Sequence, residues 1–489
     1  MPNSTRFGYN SVSGGEMSIE IIGLIAAILG ILGLVAGSDF IVVTYVVSTL
    51  LGASAALILD FLGGAGISPS LLLLVFLIVS LMKRPDFLRN AKAGLAFPKA
   101  GFFLLVTLIY SIFTAIAYPR VFAGMTSVFA VRTTTYALEP LAPSTANFTQ
   151  SMFFTADFMC FFVISGYLGA PQGIRVLAKA ALACATLNLV FGVLDLVTYW
   201  TNTTELLGFI RNSSYRMLND TEVAGFKRIV GSFTEAASFG SMTLGYFAFC
   251  TTLWLRGFYP RLTFALAALS MVALVFSTST TAYVGLSILL LLLYLQNLYR
   301  LFFQPVPRQT ILFLVAAPIA ALIVVVGVAL NDAASLYIQN ILDTIVFNKL
   351  ATDSGVERSA WIAQALQNFL DTSGFGAGNG SLRASSLLAA IVGSLGVFGA
   401  FTYGAFFVRV IFSSRKSLAL DDYEYAVTEA AKASCLAWFI TASVAGAFID
   451  LGLHFFVFAA LASANSNVPR LVKSSSPWAD ATDLIPMSR

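Results

Sequence analysis

Arginine outnumbers lysine seven to two in three polar stretches of the chain, 119–150, 201–235 and 331–384. The set is Arg120, Arg132, Arg211, Arg216, Arg228, Arg358 and Arg383, against Lys227 and Lys349. A guanidinium is planar, always charged and able to grip a phosphate or carboxylate with two parallel hydrogen bonds. The arginine bias therefore points to an anionic ligand. The plainer reading is ordinary loop charges paired with acids such as Glu222, Asp343 and Asp353. One carboxylate stands apart. The stretch Phe226-Lys-Arg228-Ile-Val-Gly231-Ser-Phe233-Thr-Glu235 runs directly into an apolar segment, which puts Glu235 at a membrane boundary. A carboxylate there is expensive unless paired or functional, and a general base for a hydroxyl is one such function. The competing role is a helix N-terminal carboxylate stabilised by the macrodipole.

The third stretch carries the densest pattern. Ser335–Lys349 has apolar residues at helical spacing and is expected to lie along the membrane surface. Ser354-Gly-Val-Glu357 fits a capping box, which predicts a helix from about Gly355 to Leu370 and explains Glu357 as a cap. Gly374 suits the stop beyond its end. Arg358 falls in the first turn, where unpaired amides already favour an anion, so a cation there makes most sense beside a negative ligand. Pairing with Asp353 or Glu357 is the bland alternative. Gly374, Gly376, Gly378 and Gly380 follow in Gly374-Phe-Gly-Ala-Gly-Asn-Gly-Ser-Leu-Arg383. They permit positive φ and close backbone approach, as in a phosphate-binding nest. Arg132 and the single histidine, His454, complete the candidates. A lone histidine is more often structural, and Asp60, Asp157, Asp195 and Asp450 read as polar contacts between helices.

The elements that must position these groups are legible in the composition. Of 489 residues, 58% are hydrophobic and 11% charged, with mean hydropathy +0.85. Soluble domains carry roughly 25% charge, so a water-soluble globule is excluded. Apolar runs long enough to cross a bilayer recur throughout. They are continuous rather than alternating, which selects helices over a barrel. The spans are predicted near 18–36, 40–62, 67–82, 101–118, 151–169, 178–200, 236–255, 262–278, 282–299, 310–330, 385–408, 432–449 and 453–466. The fold class is thus an all-α polytopic membrane protein of twelve or thirteen transmembrane helices, one membrane domain over 1–489. Residues 1–17, with Arg6 alone as a basic group, do not match a cleavable signal. Clusters at Lys83–Lys99, Arg175/Lys179, Arg256/Arg261, Arg300/Arg308, Arg415/Lys416 and Arg470/Lys473 mark the cytoplasmic side. The arginine-bearing stretches then face outward. Cys160, Cys184, Cys250 and Cys435 lie in apolar runs and are expected as small buried hydrophobes. No metal-ligand spacing is present, and neither a metal nor another cofactor is expected.

With these residues in hand, the chain resembles the O-antigen ligase and Wzy-type polysaccharide polymerase superfamily. Arg228-Ile-Val-Gly-Ser-Phe-Thr-Glu235 is similar to the Arg-x-x-Gly-x-Phe-x-Glu segment that leads into a membrane helix in exopolysaccharide polymerases. Glu357-Arg358-Ser-Ala-Trp361 precedes Gly374-Phe-Gly-Ala-Gly378 and Gly393-x-x-Gly396-x-x-Gly399, and fifteen residues separate Arg358 from Gly374. The resemblance covers roughly residues 100–465 and rests on the order and sidedness of short motifs. It implies a GT-C-like bundle with a large helical periplasmic loop, in a bacterial inner membrane. It also implies a metal-independent glycosyltransferase that moves a growing glycan from a polyprenyl diphosphate onto a lipid-linked repeat unit. Arg358 would hold the departing diphosphate, helped by Arg228, Arg216, Arg211, Arg383 and the glycines Gly374, Gly376 and Gly378, with Glu235 as base. The implied partners are the polyprenyl diphosphate-linked oligosaccharide, membrane lipids, a chain-length regulator and export proteins, and no nucleic acid. Ligases carry a histidine after the glycine-rich segment and an arginine in the turn that here reads Ser277-Thr-Ser-Thr-Thr281. This chain has neither, so a polymerase is expected before a ligase. A transporter or flippase of lipid-linked glycans is the alternative from another class; it would need a polar midplane cavity and often inverted repeats, and no repeat is visible.

Overall fold

The structure, a computed structural model, describes residues 17–59, 65–131, 137–170, 172–213, 218, 221–223, 225–331, 335–336, 353–412 and 420–467. Helices dominate. In chain order they are α1 (Ile21–Ala36), α2 (Ser38–Ser48), α3 (Pro69–Met82), α4 (Phe87–Gly94), α5 (Ala100–Val121), α6 (Thr145–Tyr167), α7 (Gly173–Trp200), α8 (Ala236–Leu255), α9 (Pro260–Phe276), α10 (Thr280–Phe303) and α11 (Arg308–Ala329). After these come α12 (Asp353–Asp371), α13 (Leu387–Phe412), α14 (Asp422–Ala445) and α15 (Leu453–Asn467). Among the described residues, six helices (α5, α6, α7, α10, α11 and α13) are long and apolar enough to cross a membrane, and α1, α2, α3, α9 and Leu453–Ala464 are shorter apolar helices.

Water cannot be the solvent of this surface. Ile311, Leu312, Val315, Ile319, Leu322 and Ile323 of α11 are all exposed, as are Ile21, Leu24, Ile28, Ile31 and Val35 along α1. Apolar stripes of this extent need a lipid neighbour, and the chain is a multi-pass membrane protein. The interior is built on α8 and α15. Residues from Met242 to Leu253 of α8 are buried on every face, and Phe455 to Ala462 of α15 are buried without interruption. Around α15 the rings of Tyr403, Phe406 and Phe456 interlock with centroids 5.8–6.1 Å apart. All four cysteines are free and buried, Cys160 in α6, Cys184 in α7, Cys250 in α8 and Cys435 in α14.

The predicted span 40–62 requires correction. Its helix, α2, stops at Ser48, the chain turns through Thr49–Ala56, and Leu57–Leu59 forms a strand. This strand (β2) pairs antiparallel with Met17–Ile19 (β1) and Ala65–Ile67 (β3). Two further ribbons, β4–β5 (Ser127–Phe129 with Leu138–Pro140) and β6–β7 (Glu222–Val223 with Phe226–Lys227), lie in the polar stretches. The fold is therefore helical with short β ribbons rather than purely α.

Contacts sort the connections to two ends. At one end the basic residues gather. Arg84 pairs with Asp39 (3.6 Å), Arg175 with Glu424 (3.3 Å) and Arg256 with Glu429 (3.2 Å). The other end holds the described residues of 122–144, 201–235, 372–386 and 446–452; the Arg383 amide donates to Phe129 O (3.0 Å) and the Ala384 amide to Ala447 O (3.1 Å), and Phe233 and Glu235 share a cavity with Gly446 and Asp450. This second, loop end carries the candidate site.

Candidate functional site

The stretch before α8 is held by a single buried carboxylate. Asp195 of α7 is fully buried and accepts from Arg211 Nη2 (2.7 Å), from Lys227 Nζ (3.3 Å to each oxygen) and from the amides of Val230 (2.7 Å) and Gly231 (3.2 Å). Arg211 Nε also donates to Gly231 O (2.9 Å), and its side chain is only 4% exposed. The sequence reading makes Arg211 a diphosphate-binding helper; the structure gives it a structural set of partners instead. Its guanidinium is enclosed and its donors are directed at Asp195 and the Gly231 carbonyl. The sequence could not reveal this, because the partner sits on the preceding helix.

With Asp195 as the anchor, Arg228 and Glu235 are placed. Arg228 is half-buried, Nη2 donates to Thr278 O in the turn between α9 and α10 (3.4 Å), and Nε has no partner among the described residues. That turn lacks an arginine of its own and receives one from the 225–235 stretch instead. Burial holds the Arg228 guanidinium below the usual arginine range; Glu235 opposes this, and the Arg358 guanidinium adds to it. Arg228, Glu235 and Arg358, 130 positions apart at the extremes, thus share one electrostatic neighbourhood. Glu235 is the N-cap residue of α8. Its backbone carbonyl accepts from the Ser238 and Phe239 amides (3.1 and 3.2 Å), yet its carboxylate makes no capping bond. The capping role thus falls to the backbone, and the side chain lines a cavity.

Arg358 lies on α12, which begins at Asp353 rather than near Gly355, so Arg358 occupies the second turn and not the first. Among the described residues it has no hydrogen-bond or ion-pair partner, Glu357 included. Arg383 stacks over the Trp361 ring of the same helix at 4.4 Å. Arg132, Arg216 and most of the surface segment 335–349 lie outside the described residues.

The glycine-rich segment is also corrected. Gly374, Gly376, Gly378 and Gly380 all have φ between +78° and +94°, as their type allows. The amides of Gly374, Gly376 and Gly378 do not point outward as a nest. Gly374 N donates to Phe369 O (2.8 Å), Gly376 N to Thr372 Oγ1 (2.8 Å) and Gly378 N to Ser394 O (2.9 Å). A Cβ on Gly376 would stand 2.8 Å from Gly396 N, and one on Gly378 2.6 Å from Thr114 O. The segment is a close-packed wedge against α5 and α13, not a phosphate cradle.

Glu235 opens onto a cavity of about 520 Å³ at the loop end. Its wall takes Gln150 and Asp157 from α6, Glu235, Ser238 and Ser241 from the start of α8, Trp438 and Thr441 from α14, and Asp450 and His454 from the turn into α15. Residues 49–55 and 66–71 of the β-ribbon region close the side. His454, a candidate from the sequence, therefore does sit with Glu235. Its ring meets Trp438 edge-on at 5.0 Å. Asp157 and Asp450, read as separate interhelical contacts, instead bring their carboxyls within hydrogen-bonding reach of one another. Acids inside apolar runs were the available signal; their pairing, and the part taken by Trp438 and Gln150, needed the fold. No family of known proteins, no curated protein and no solved structure matches the chain.

Proposed function

We propose that this protein is a polysaccharide polymerase that transfers a growing glycan from a polyprenyl diphosphate to a lipid-linked repeat unit on the extracytoplasmic side. The observation that carries the reading is the shared electrostatic neighbourhood of Arg228, Arg358 and Glu235, with Glu235 on the wall of a cavity. Two guanidiniums brought together, one of them half-buried, repel unless an anion joins them. A diphosphate supplies that anion and gains charge as it leaves, which is where fixed donors lower the barrier. Glu235 is positioned to take the proton from an acceptor hydroxyl. The hydroxyl oxygen then attacks the anomeric carbon, the bond from that carbon to the diphosphate oxygen breaks, and the polyprenyl diphosphate departs with the electron pair. Arg383, stacked on α12, stands as a helper at the edge of the site. The GT-C-like architecture, the inner-membrane location and the metal-independent chemistry belong to this same reading.

Cells carrying Glu235→Gln or Arg358→Ala are expected to lose polymer by about 10²-fold or more. Single lipid-linked repeat units should accumulate on the outer leaflet while the protein reaches the membrane at normal levels. Wild-type chain lengths from both variants would refute the assignment. Accumulation on the inner leaflet would favour a flippase.

A further inference from the structure

Away from the loop end, the outer surface of α13 carries a groove that the transfer reading does not use. Beyond the kink at Gly396, the half of α13 that runs to the basic end presents two neighbouring ridges. One is Ala400, Gly404, Val408 and Phe412, the other Phe401, Ala405 and Arg409, each stepping by four residues. The small residues at 400, 404 and 405 leave a trough, and Phe103 of α5 joins Phe401 and Phe412 as aromatic walls. The groove holds about 550 Å³. Its floor is open, because a Cβ on Gly404 would meet nothing within 4 Å. The two helices are nonetheless fixed beside one another, since Thr107 Oγ1 of α5 donates to Thr402 Oγ1 of α13 (3.0 Å). Phe401, Val408 and Phe412 are exposed, so this surface faces hydrocarbon. Among the described residues Arg409 is the single charge on the groove. It is exposed and has neither a hydrogen bond nor an ion pair there. Residues 413–419, which follow Phe412, lie outside the described residues; their sequence adds Arg415 and Lys416 and no acid.

We infer that this groove binds an anionic phospholipid of the leaflet at the basic end, with the lipid phosphate on Arg409 and one acyl chain laid over Gly404 toward Ala400. A guanidinium at the edge of hydrocarbon is costly until it meets water or an anion, and it grips a phosphate with two parallel hydrogen bonds. The dimensions suit a lipid of a single leaflet. Nine helical residues from Ala400 to Arg409 rise about 14 Å, close to half of a bilayer core of about 30 Å. The apolar trough takes the chain and the cation takes the head, in the order in which a phospholipid presents them. Charge sets the choice of headgroup. With no acid on the groove, the ammonium of a zwitterionic lipid would meet uncompensated cations, whereas a net negative headgroup is attracted to them. The groove lies at the opposite end of the molecule from Glu235, and its occupancy does not depend on what is transferred there.

The test is photolabelling of the full chain in phosphatidylcholine nanodiscs. A small fraction of the lipid carries a diazirine in its acyl chain, as phosphatidylglycerol in one sample and phosphatidylcholine in the other, and the label is located by peptide mass spectrometry. The 400–412 region should take up the phosphatidylglycerol probe about fivefold more than its partner. Arg409→Gln should bring the two probes level, and Arg409→Lys, which keeps the charge, should retain the preference. Arg308→Ala removes an exposed cation at the start of α11, outside the groove, and should change nothing. Gly404→Leu fills the trough where there is room for it, so it should lower labelling by both probes while the unfolding temperature stays at that of wild type. An arginine that only snorkels to water would give equal labelling of the wild type by the two probes, and that result would overturn the inference. So would a preference that survives Arg409→Gln, or groove labelling that Gly404→Leu leaves unchanged.

Discussion

Asp195 organises more of the loop end than any residue suspected of chemistry. Four donors converge on its carboxylate, two of them cationic side chains, and through them the backbone from Arg211 to Gly231 is set relative to α7. Removing one partner of an enclosed ion pair strands the other without solvent, at a cost of about 3–5 kcal/mol. Asp195→Ala strands both Arg211 and Lys227 and is expected to lower the unfolding temperature in detergent clearly. Arg211→Ala keeps the Lys227 pair and should cost less. An Asp195→Ala protein that melts like wild type would show that the carboxylate is not the anchor described. The same residue shows why side-chain roles were only partly legible. Arginine at 211 carries the same signal in sequence as arginine at 228. What separates them is a carboxylate 16 positions upstream, which meets only one of the two guanidiniums.

At the scale of elements, the glycines of the 374–380 wedge are fixed by shape rather than by ligand. Gly376 combines φ +87° with a backbone neighbour 2.8 Å from where a Cβ would stand. Left-handed backbone at a non-glycine residue costs about 1–3 kcal/mol, and the overlap with Gly396 and Ser394 adds about as much again. Gly376→Ala is therefore expected to destabilise the protein by about 2 kcal/mol or more. Gly404→Ala on α13, where nothing lies within 4 Å of the added carbon, should be neutral or slightly stabilising. Equal effects in thermal unfolding would contradict the packing account. Helices themselves were the most legible elements. The predicted 101–118 and 178–200 runs became Ala100–Val121 and Gly173–Trp200, because continuous apolar sequence suffices to specify a lipid-facing helix. The run 40–62 is equally apolar but breaks after Ser48. There Gly52 lies against the Phe233 ring, where a Cβ would come within 2.6 Å, and the chain feeds a β ribbon. Hydropathy carries no trace of such a tertiary contact.

For the whole molecule, the division into a basic end and a loop end gives a direct test of orientation. The native cysteines are buried, so a membrane-impermeant maleimide should meet only introduced thiols. Glu139→Cys in β5 is expected to label in intact cells, and Lys92→Cys in α4 only after permeabilisation. The reverse pattern would turn the protein over and place the arginines against the cytoplasm. The lengths of the helices carry a further consequence. On the side occupied by α1 and α3, with 16 and 14 residues, the helical walls stand only about 21–24 Å tall. α10, with 24 residues, reaches about 36 Å. A bilayer core is about 30 Å thick, so α1 and α3 fall short of it and α10 exceeds it. Local thinning of the bilayer is the expected response beside α1 and α3. The β1–β2–β3 ribbon borders these helices and the segments beside it wall the cavity, so a lipid in the thinned bilayer there is expected to bring its headgroup toward that wall.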